Sequence, residues 1–281
     1  MRRSTLAALL LGFSLPAAAK ETVTWFVDPS FPPAHIVSGQ YAGAGIADLE
    51  LKWLIAQLPQ FDHIVLNSSG ARGWKEIAQN DGRCIPAAVK SPARQKVAAF
   101  SNTPAVTSWG VMLMTRQDRF PALAELRTAS GEIDLARLIG RNDLHGVVNK
   151  GRSYGTLIDP MLGTPEGRVA VQPVSDSQQA LHMVTAGRAD YAVGYPHELN
   201  YFQRLDSAQG PIVALPIAGQ DRFAPGFVAC SDKILGRTVI DAVNAVLSRA
   251  GTPPPYMNEA RQWYSDKEFA EISAPARWMG P

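Results

Sequence analysis

Apolar positions along the chain switch repeatedly between strand and helix spacing. Thr22 to Val27 is a short apolar run closed by Asp28, Pro29, Pro32 and Pro33, a cluster that forces a loop at a strand end. Ile46, Leu49, Trp53 and Leu54 then fall at i, i+3, i+7 and i+8, one face of a helix that Pro59 closes. The alternation repeats with strand-like His63 to Leu66, a helix around Trp74 to Ala78, and a strand-like stretch from Cys84 to Val89. Strands and helices in this order predict a parallel sheet.

A second α/β series follows Trp109 to Thr115. Its strand candidates are His145 to Val148, Val169 to Val171, Tyr191 to Val193 and Ile212 to Leu215, with helices over Tyr154 to Leu162 and Asp176 to Ala186. Phe223 to Ala229 reads as a late strand. Ile240, Val243 and Leu247 share a helical face, Gly251 ends that helix, and Pro253, Pro254 and Pro255 prevent it from resuming. Phe120 to Arg141 is the most irregular stretch and is expected at the surface.

With 281 residues the chain is long enough for one or two domains. Hydrophobic residues at 46% and charged residues at 19% exclude wholesale disorder, collagen and coiled coil. Lys plus Arg is 27 against 25 for Asp plus Glu, so no basic surplus is available to neutralise phosphates, which argues against nucleic-acid binding. Met1, Arg2 and Arg3, the apolar stretch Leu6 to Leu15, and Pro16 followed by Ala17, Ala18 and Ala19 have the form of a secretory signal over residues 1–19. The adjacent arginines also fit the start of a twin-arginine signal. The expected product is an exported periplasmic chain beginning near Lys20, with no lipid anchor because no Cys stands at the cleavage point.

The order of several short motifs resembles the bacterial extracellular solute-binding proteins of the polar amino acid class. Trp25 to Gly45, with Asp28, Phe31, Pro32 and Pro33, is similar to the family's first strand and ligand-facing loop; Gly73-Trp74 is similar to the aromatic start of its second helix. Ser91-Pro92-Ala93-Arg94 followed by Phe100-Ser101-Asn102-Thr103-Pro104-Ala105 resembles its arginine motif and the run after it. Gly187-Arg188-Ala189-Asp190 and Arg261-Gln262-Trp263-Tyr264 match later motifs. The resemblance implies an α/β, two-lobed type II periplasmic-binding fold with a central cleft and two hinge strands. Lobe one would comprise residues 20–111 and 227–281, and lobe two residues 112–226. It further implies a monomer that captures a small polar, amino-acid-like ligand by cleft closure and presents it to an ABC-transporter permease or a membrane sensor, without catalysis or cofactor.

Carried over residue by residue, the resemblance gives Arg94 the ligand carboxylate, a role suited to a planar guanidinium fork. Lys90 lies nearby, and Phe31 and Trp74 would supply apolar walls. Gly151, Arg152 and Ser153 correspond to a loop whose backbone N–H groups meet an anionic ligand group at a helix start. Arg152 stands where the family has a small hydroxyl residue; it either favours a further anionic group or points at solvent. Gly194 and Tyr195 occupy the strand end at which amino-acid binders carry an acid for the ligand ammonium, so Asp28 or Glu198 substitutes, or the ligand lacks an α-amino group. The fold would also place Cys84 beside Cys230, as a disulfide or as two buried thiols.

Two enzymatic readings compete. Gly151-Arg152-Ser153-Tyr154-Gly155 matches G-x-S-x-G between a strand and a helix, the setting of a hydrolase nucleophile, with only His182 and His197 downstream to serve it. A dehydratase on the same fold would use a cleft carboxylate such as Glu198 as general acid or base. His35, His63 and His145 show no metal-ligand spacing, and nothing matches a phosphate or dinucleotide loop.

Overall fold

The structure, a computed structural model, describes residues 19–205 and 210–279, so the expected leader lies outside the described residues except for Ala19. Its first sheet has the order β2-β1-β3-β11-β4, with β5 also paired to β11. The strands are β1 (Thr22–Val27), β2 (Asp62–Asn67), β3 (Arg83–Ala88), β4 (Ala98–Phe100), β5 (Val106–Trp109) and β11 (Phe223–Ser231). β1 pairs in parallel with β2 and β3, and its uninterrupted apolar run is the pattern of a strand covered on both faces: every residue after Thr22 is buried. The second sheet has the order β10-β6-β9-β7-β8, from β6 (Met112–Arg116), β7 (Gly146–Asn149), β8 (Val171–Val174), β9 (Tyr191–Gly194) and β10 (Ile212–Pro216).

Helices α1 (Ile46–Gln57), α2 (Gly70–Gln79) and α3 (Pro92–Gln95) lie between strands of the first sheet. The second-sheet segment holds α4 (Leu135–Ile139), α5 (Ile158–Leu162), α6 (Pro165–Ala170), α7 (Ser177–Thr185) and α8 (Pro196–Leu205). After β11 the chain forms α9 (Ile234–Leu247), α10 (Met257–Ala260) and α11 (Asp266–Ile272). α1 and α9 bury Leu51, Leu54, Val239 and Val243 against Val23, Trp25, Cys84 and Cys230. Cys84 and Cys230 are register partners on β3 and β11, wholly buried, and joined in a disulfide. Two strands carry the chain between the sheets: β5 outward, and the first half of β11 back beside it, in antiparallel register from Phe223 opposite Trp109 to Gly226 opposite Val106. Their separation is so small that a side chain at Gly110 would place its first carbon 2.0 Å from the Asp221 carbonyl oxygen.

One local expectation is refined and two are corrected. Phe120 to Arg141 lies at the surface as expected but is anchored there: a 3-10 helix over Gln117–Leu126 buries Leu123 and Leu126, and Ile133, Leu135, Leu138 and Ile139 join them in the second lobe's core. Leu123 and Leu126 are spaced i, i+3, and Pro121 inside the segment makes its pattern read as irregular. The helix expected from Tyr154 begins only at Ile158, after Gly155 turns at φ +95°. Val169 to Val171 is mostly helical; Val169 is exposed in α6 and the strand starts at Val171.

Candidate functional site

A cavity of about 190 Å³ opens between the two halves. Its walls include Asp28, Phe31, Trp74 and Arg94 from the first half, and Gly151, Arg152, Ser153 and Tyr195 from the second. Lys90 is not among its walls; its ammonium lies over the rings of Phe100 and Phe227, at 5.9 and 5.3 Å from the centroids. His35, His197 and Tyr264 line the cavity as well and were not among the sequence candidates.

Arg94 owes its position to the turn that precedes it. Ser91 caps α3 by accepting the Arg94 backbone N–H at 3.4 Å, and Pro92 occupies the first helical turn, where its missing N–H costs nothing. The guanidinium packs 4.5 Å from the Trp74 ring and donates to the Val89 carbonyl at 2.9 Å. No carboxylate pairs with it among the described residues. Burial lowers its pKa, with the charge of Asp159 acting in the opposite direction. A half-buried guanidinium without a carboxylate partner, bordering a cavity, is a place for an anion.

Asp28 sits just after β1, where its Oδ1 accepts Ser30 N–H at 3.0 Å and its Oδ2 accepts Gly70 N–H, at the first residue of α2, at 2.5 Å. It therefore ties the ligand-side loop to the start of that helix, where a negative charge is favoured.

Arg152 points inward rather than at solvent. Its guanidinium lies 4.5 Å from the Phe31 centroid and 4.8 Å from that of Tyr195, and its Nη1 is 2.8 Å from Oε1 of Glu198. That ion pair is made outside hydrogen-bond alignment, so Nη1 and Oε1 have no hydrogen-bond partner. Glu198 reaches the strand end from α8: its Oε2 accepts the Tyr195 N–H at 2.9 Å and fills the space a Gly194 side chain would need. Burial is the largest single influence and opposes the Arg152 charge, but Glu198, Tyr154 and Tyr195 together outweigh it and raise the pKa. Burial, helped by the Arg152 charge, lowers His197 to about 3, so this imidazole, stacked 5.3 Å from Tyr195, is neutral. Burial raises the Tyr195 and Tyr154 phenols, the latter to about 12.

Ser153 is held by a residue that sequence reasoning missed. Its Oγ donates to Asp159 Oδ2 at 2.6 Å, while Oδ1 accepts the Tyr154 N–H, also at 2.6 Å. No histidine reaches Ser153; His182 packs on Phe202 and His197 on Tyr195. The hydrolase constellation is therefore not assembled, because its base has to contact the serine. The remaining motif residues serve the scaffold. Ser101 Oγ accepts the Val228 N–H at 3.1 Å, Asp190 accepts the His145 N–H at 2.9 Å, and Trp263 Nε1 donates to the Ala44 carbonyl at 2.7 Å.

No protein-family profile and no curated protein matches this sequence. Solved structures do. A mutant of ArgBP from T. maritima superposes with a TM-score of 0.62 at 18% identity, covering 87% of this chain and 96% of that one. An ancestral amino acid-binding protein described as a precursor of cyclohexadienyl dehydratase gives 0.61 at 16%, covering 87% and 96%. A histidine kinase sensor domain with similarity to periplasmic binding proteins gives 0.62 at 14%, covering 93% and 99%. At these identities the likeness is one of fold, and the fold is the two-sheet, type II periplasmic-binding fold. No helix among the described residues is long and apolar enough to cross a membrane.

Proposed function

We propose that the protein is a periplasmic solute-binding protein: it captures a small, carboxylate-bearing molecule in the cleft and presents it to an ABC-transporter permease or a membrane sensor. The two lobes of the proposal are residues 20–111 with 227–281, and residues 112–226. One observation carries the reading. Arg94 is a half-buried guanidinium bordering the cavity, stacked on Trp74 and free of any carboxylate among the described residues, and a ligand carboxylate would supply the missing charge. Structures of the same fold that are described as amino acid-binding, or as a sensor domain, support both halves of the proposal. Binding without catalysis is favoured because the carboxylates an enzyme would use are engaged: Glu198 with Arg152, and Asp159 with Ser153.

The test is a thermal-shift panel of amino acids, dicarboxylates and small sugar acids, followed by calorimetric titration of the best compound. Binding to the folded state alone raises the melting temperature. Arg94→Ala is expected to weaken that compound about 100-fold, the usual scale for breaking one desolvated, hydrogen-bonded charge pair. A panel in which no compound shifts the protein, or an affinity unchanged in Arg94→Ala, would overturn the reading.

A further inference from the structure

We infer that Arg152 is a specificity-determining residue: its guanidinium, carried by the chain itself, fills the cation seat of the cleft and restricts the ligand to carboxylates without a cationic group. The inference rests on the binding reading above and names the class of ligand it would take.

A seat for an organic cation needs a buried carboxylate and aromatic faces. The cleft has one. Glu198, with its side chain 2% exposed, presents Oε1, while Phe31 from one half and Tyr195 from the other face each other across the gap. Arg152 occupies that space, its own side chain 10% exposed. Asp28, the carboxylate among the cavity's walls, is bound to two backbone N–H groups, and Asp159, beside the Ser153 loop but not among the walls, is bound to one N–H group and the Ser153 hydroxyl. What remains without a carboxylate partner among the described residues is Arg94, whose guanidinium donates to the Val89 carbonyl and stacks on Trp74. His197 is neutral and adds no charge. The cationic group left without a carboxylate at the cavity, and so offered to a ligand's carboxylate, is thus Arg94. A zwitterion would bring its ammonium into a cleft whose cation seat is taken by Arg152 and whose unpaired guanidinium, Arg94, repels it. A 2-hydroxy or 2-oxo acid would meet Arg94 without that cost.

Two measurements test this. In the first, the wild-type protein is titrated calorimetrically with acids differing only at the second carbon: lactate against alanine, phenyllactate against phenylalanine, 2-hydroxyglutarate against glutamate. In any pair that binds, the hydroxy acid is expected to be at least about tenfold tighter. An amino acid that binds as tightly as its hydroxy counterpart overturns the inference while leaving the binding reading intact. In the second, Arg152→Ala is melted in about 20 mM guanidinium chloride and in the same concentration of sodium chloride. Guanidinium is expected to re-enter the emptied seat and raise the melting temperature by about 3 °C. The wild type and the double variant Arg152→Ala/Glu198→Gln should show no such rise. Equal melting of Arg152→Ala in the two salts, or the same rise in the double variant, overturns the inference. If no acid of either series binds the wild type, the binding reading falls and the guanidinium measurement still decides whether the seat exists. Should Arg152→Ala not fold, the wild-type titrations decide alone.

Discussion

Glu50 is wholly buried on α1, and neither of its carboxylate oxygens has a hydrogen-bond partner. Burial raises its pKa from 4.5 to about 8, the Ala87 amide pulling the other way from outside hydrogen-bond alignment. Between those two values the folded chain keeps a proton that the unfolded chain has released, so stability falls as the pH rises through that window. His197 acts in the opposite sense. Its pKa falls from 6.5 to about 3 on folding, so the unfolded chain takes up a proton that the folded one refuses, and stability is lost as the pH drops through that range. The two windows overlap only between 4.5 and 6.5. Urea midpoints measured from acid to alkaline pH should therefore separate them. Glu50→Gln is expected to remove the decline above pH 6.5 and to gain on the order of 4 kcal/mol at pH 8 and above. A Glu50→Gln variant that keeps the wild-type slope there sinks the assignment. None of this was legible in the sequence, because a carboxylate on a helix reads as solvated until the fold buries it. The position of Arg94 at the cavity was expected only through the resemblance carried by Ser91-Pro92-Ala93-Arg94, in which Ser91 and Pro92 form the turn that holds it. The direction of Arg152 was not legible: its partner Glu198 lies on another helix, and an ion pair leaves no spacing in the chain.

At the level of elements, most strands of both sheets stood out as apolar runs, but β4 and β5 did not, and β8 begins two residues after the pattern puts it; β1 and α1 begin where the pattern puts them. The elements that escaped are short and shaped by single side chains. α5 starts late because Asp159 holds the chain before it through the Tyr154 N–H, and the 3-10 segment carries Pro121 inside it. The pairing of β3 with β11 carries its own prediction. The disulfide between them closes a sequence separation of 146 residues, which on the chain-entropy estimate contributes about 5 kcal/mol by restricting the unfolded state. Denatured, unreduced protein is expected to titrate with no free thiol. Cys84→Ser/Cys230→Ser should unfold at a markedly lower urea concentration, with its secondary structure retained in buffer. Two free thiols, or an unchanged midpoint, would remove the bridge from the stability of the first sheet.

In the whole molecule, several sets of contacts among the described residues join the halves, and three of them differ in strength. Besides the crossing strands, α8 is fastened to the C-terminal segment: Asn200 Nδ2 donates to Glu268 Oε2 at 2.8 Å, and Tyr201 meets Trp263 edge to face at 5.3 Å. Partners this far apart in the chain carry no signature in its pattern, so only the two strands were expected as links. The third set, at the loop after β1, is weak. The Ser30 carbonyl accepts from Ser177 N–H at 3.4 Å and from Asn149 Nδ2 at 3.5 Å, and the Pro32 carbonyl accepts from Ser177 Oγ at 3.3 Å. Hydrogen bonds at that length are at the edge of what counts as one, and each contributes no more than about 1 kcal/mol. Arg152 against Phe31 adds a cation–π contact across the same gap. The short contacts at α8 and the crossing strands would therefore act as the pivot, and the loop contacts would break first. A ligand held by Arg94 in one half and by the Gly151–Ser153 loop in the other supplies the attraction those loop contacts lack, since its contacts to both sides exist only when the gap is closed. Small-angle scattering is expected to give a larger radius of gyration for the empty protein than for the protein saturated with the best compound of the panel. Phe31→Ala should enlarge the empty form further. Superimposable profiles for empty and saturated protein would mean that the halves form one rigid body, and that the cleft binds without closing.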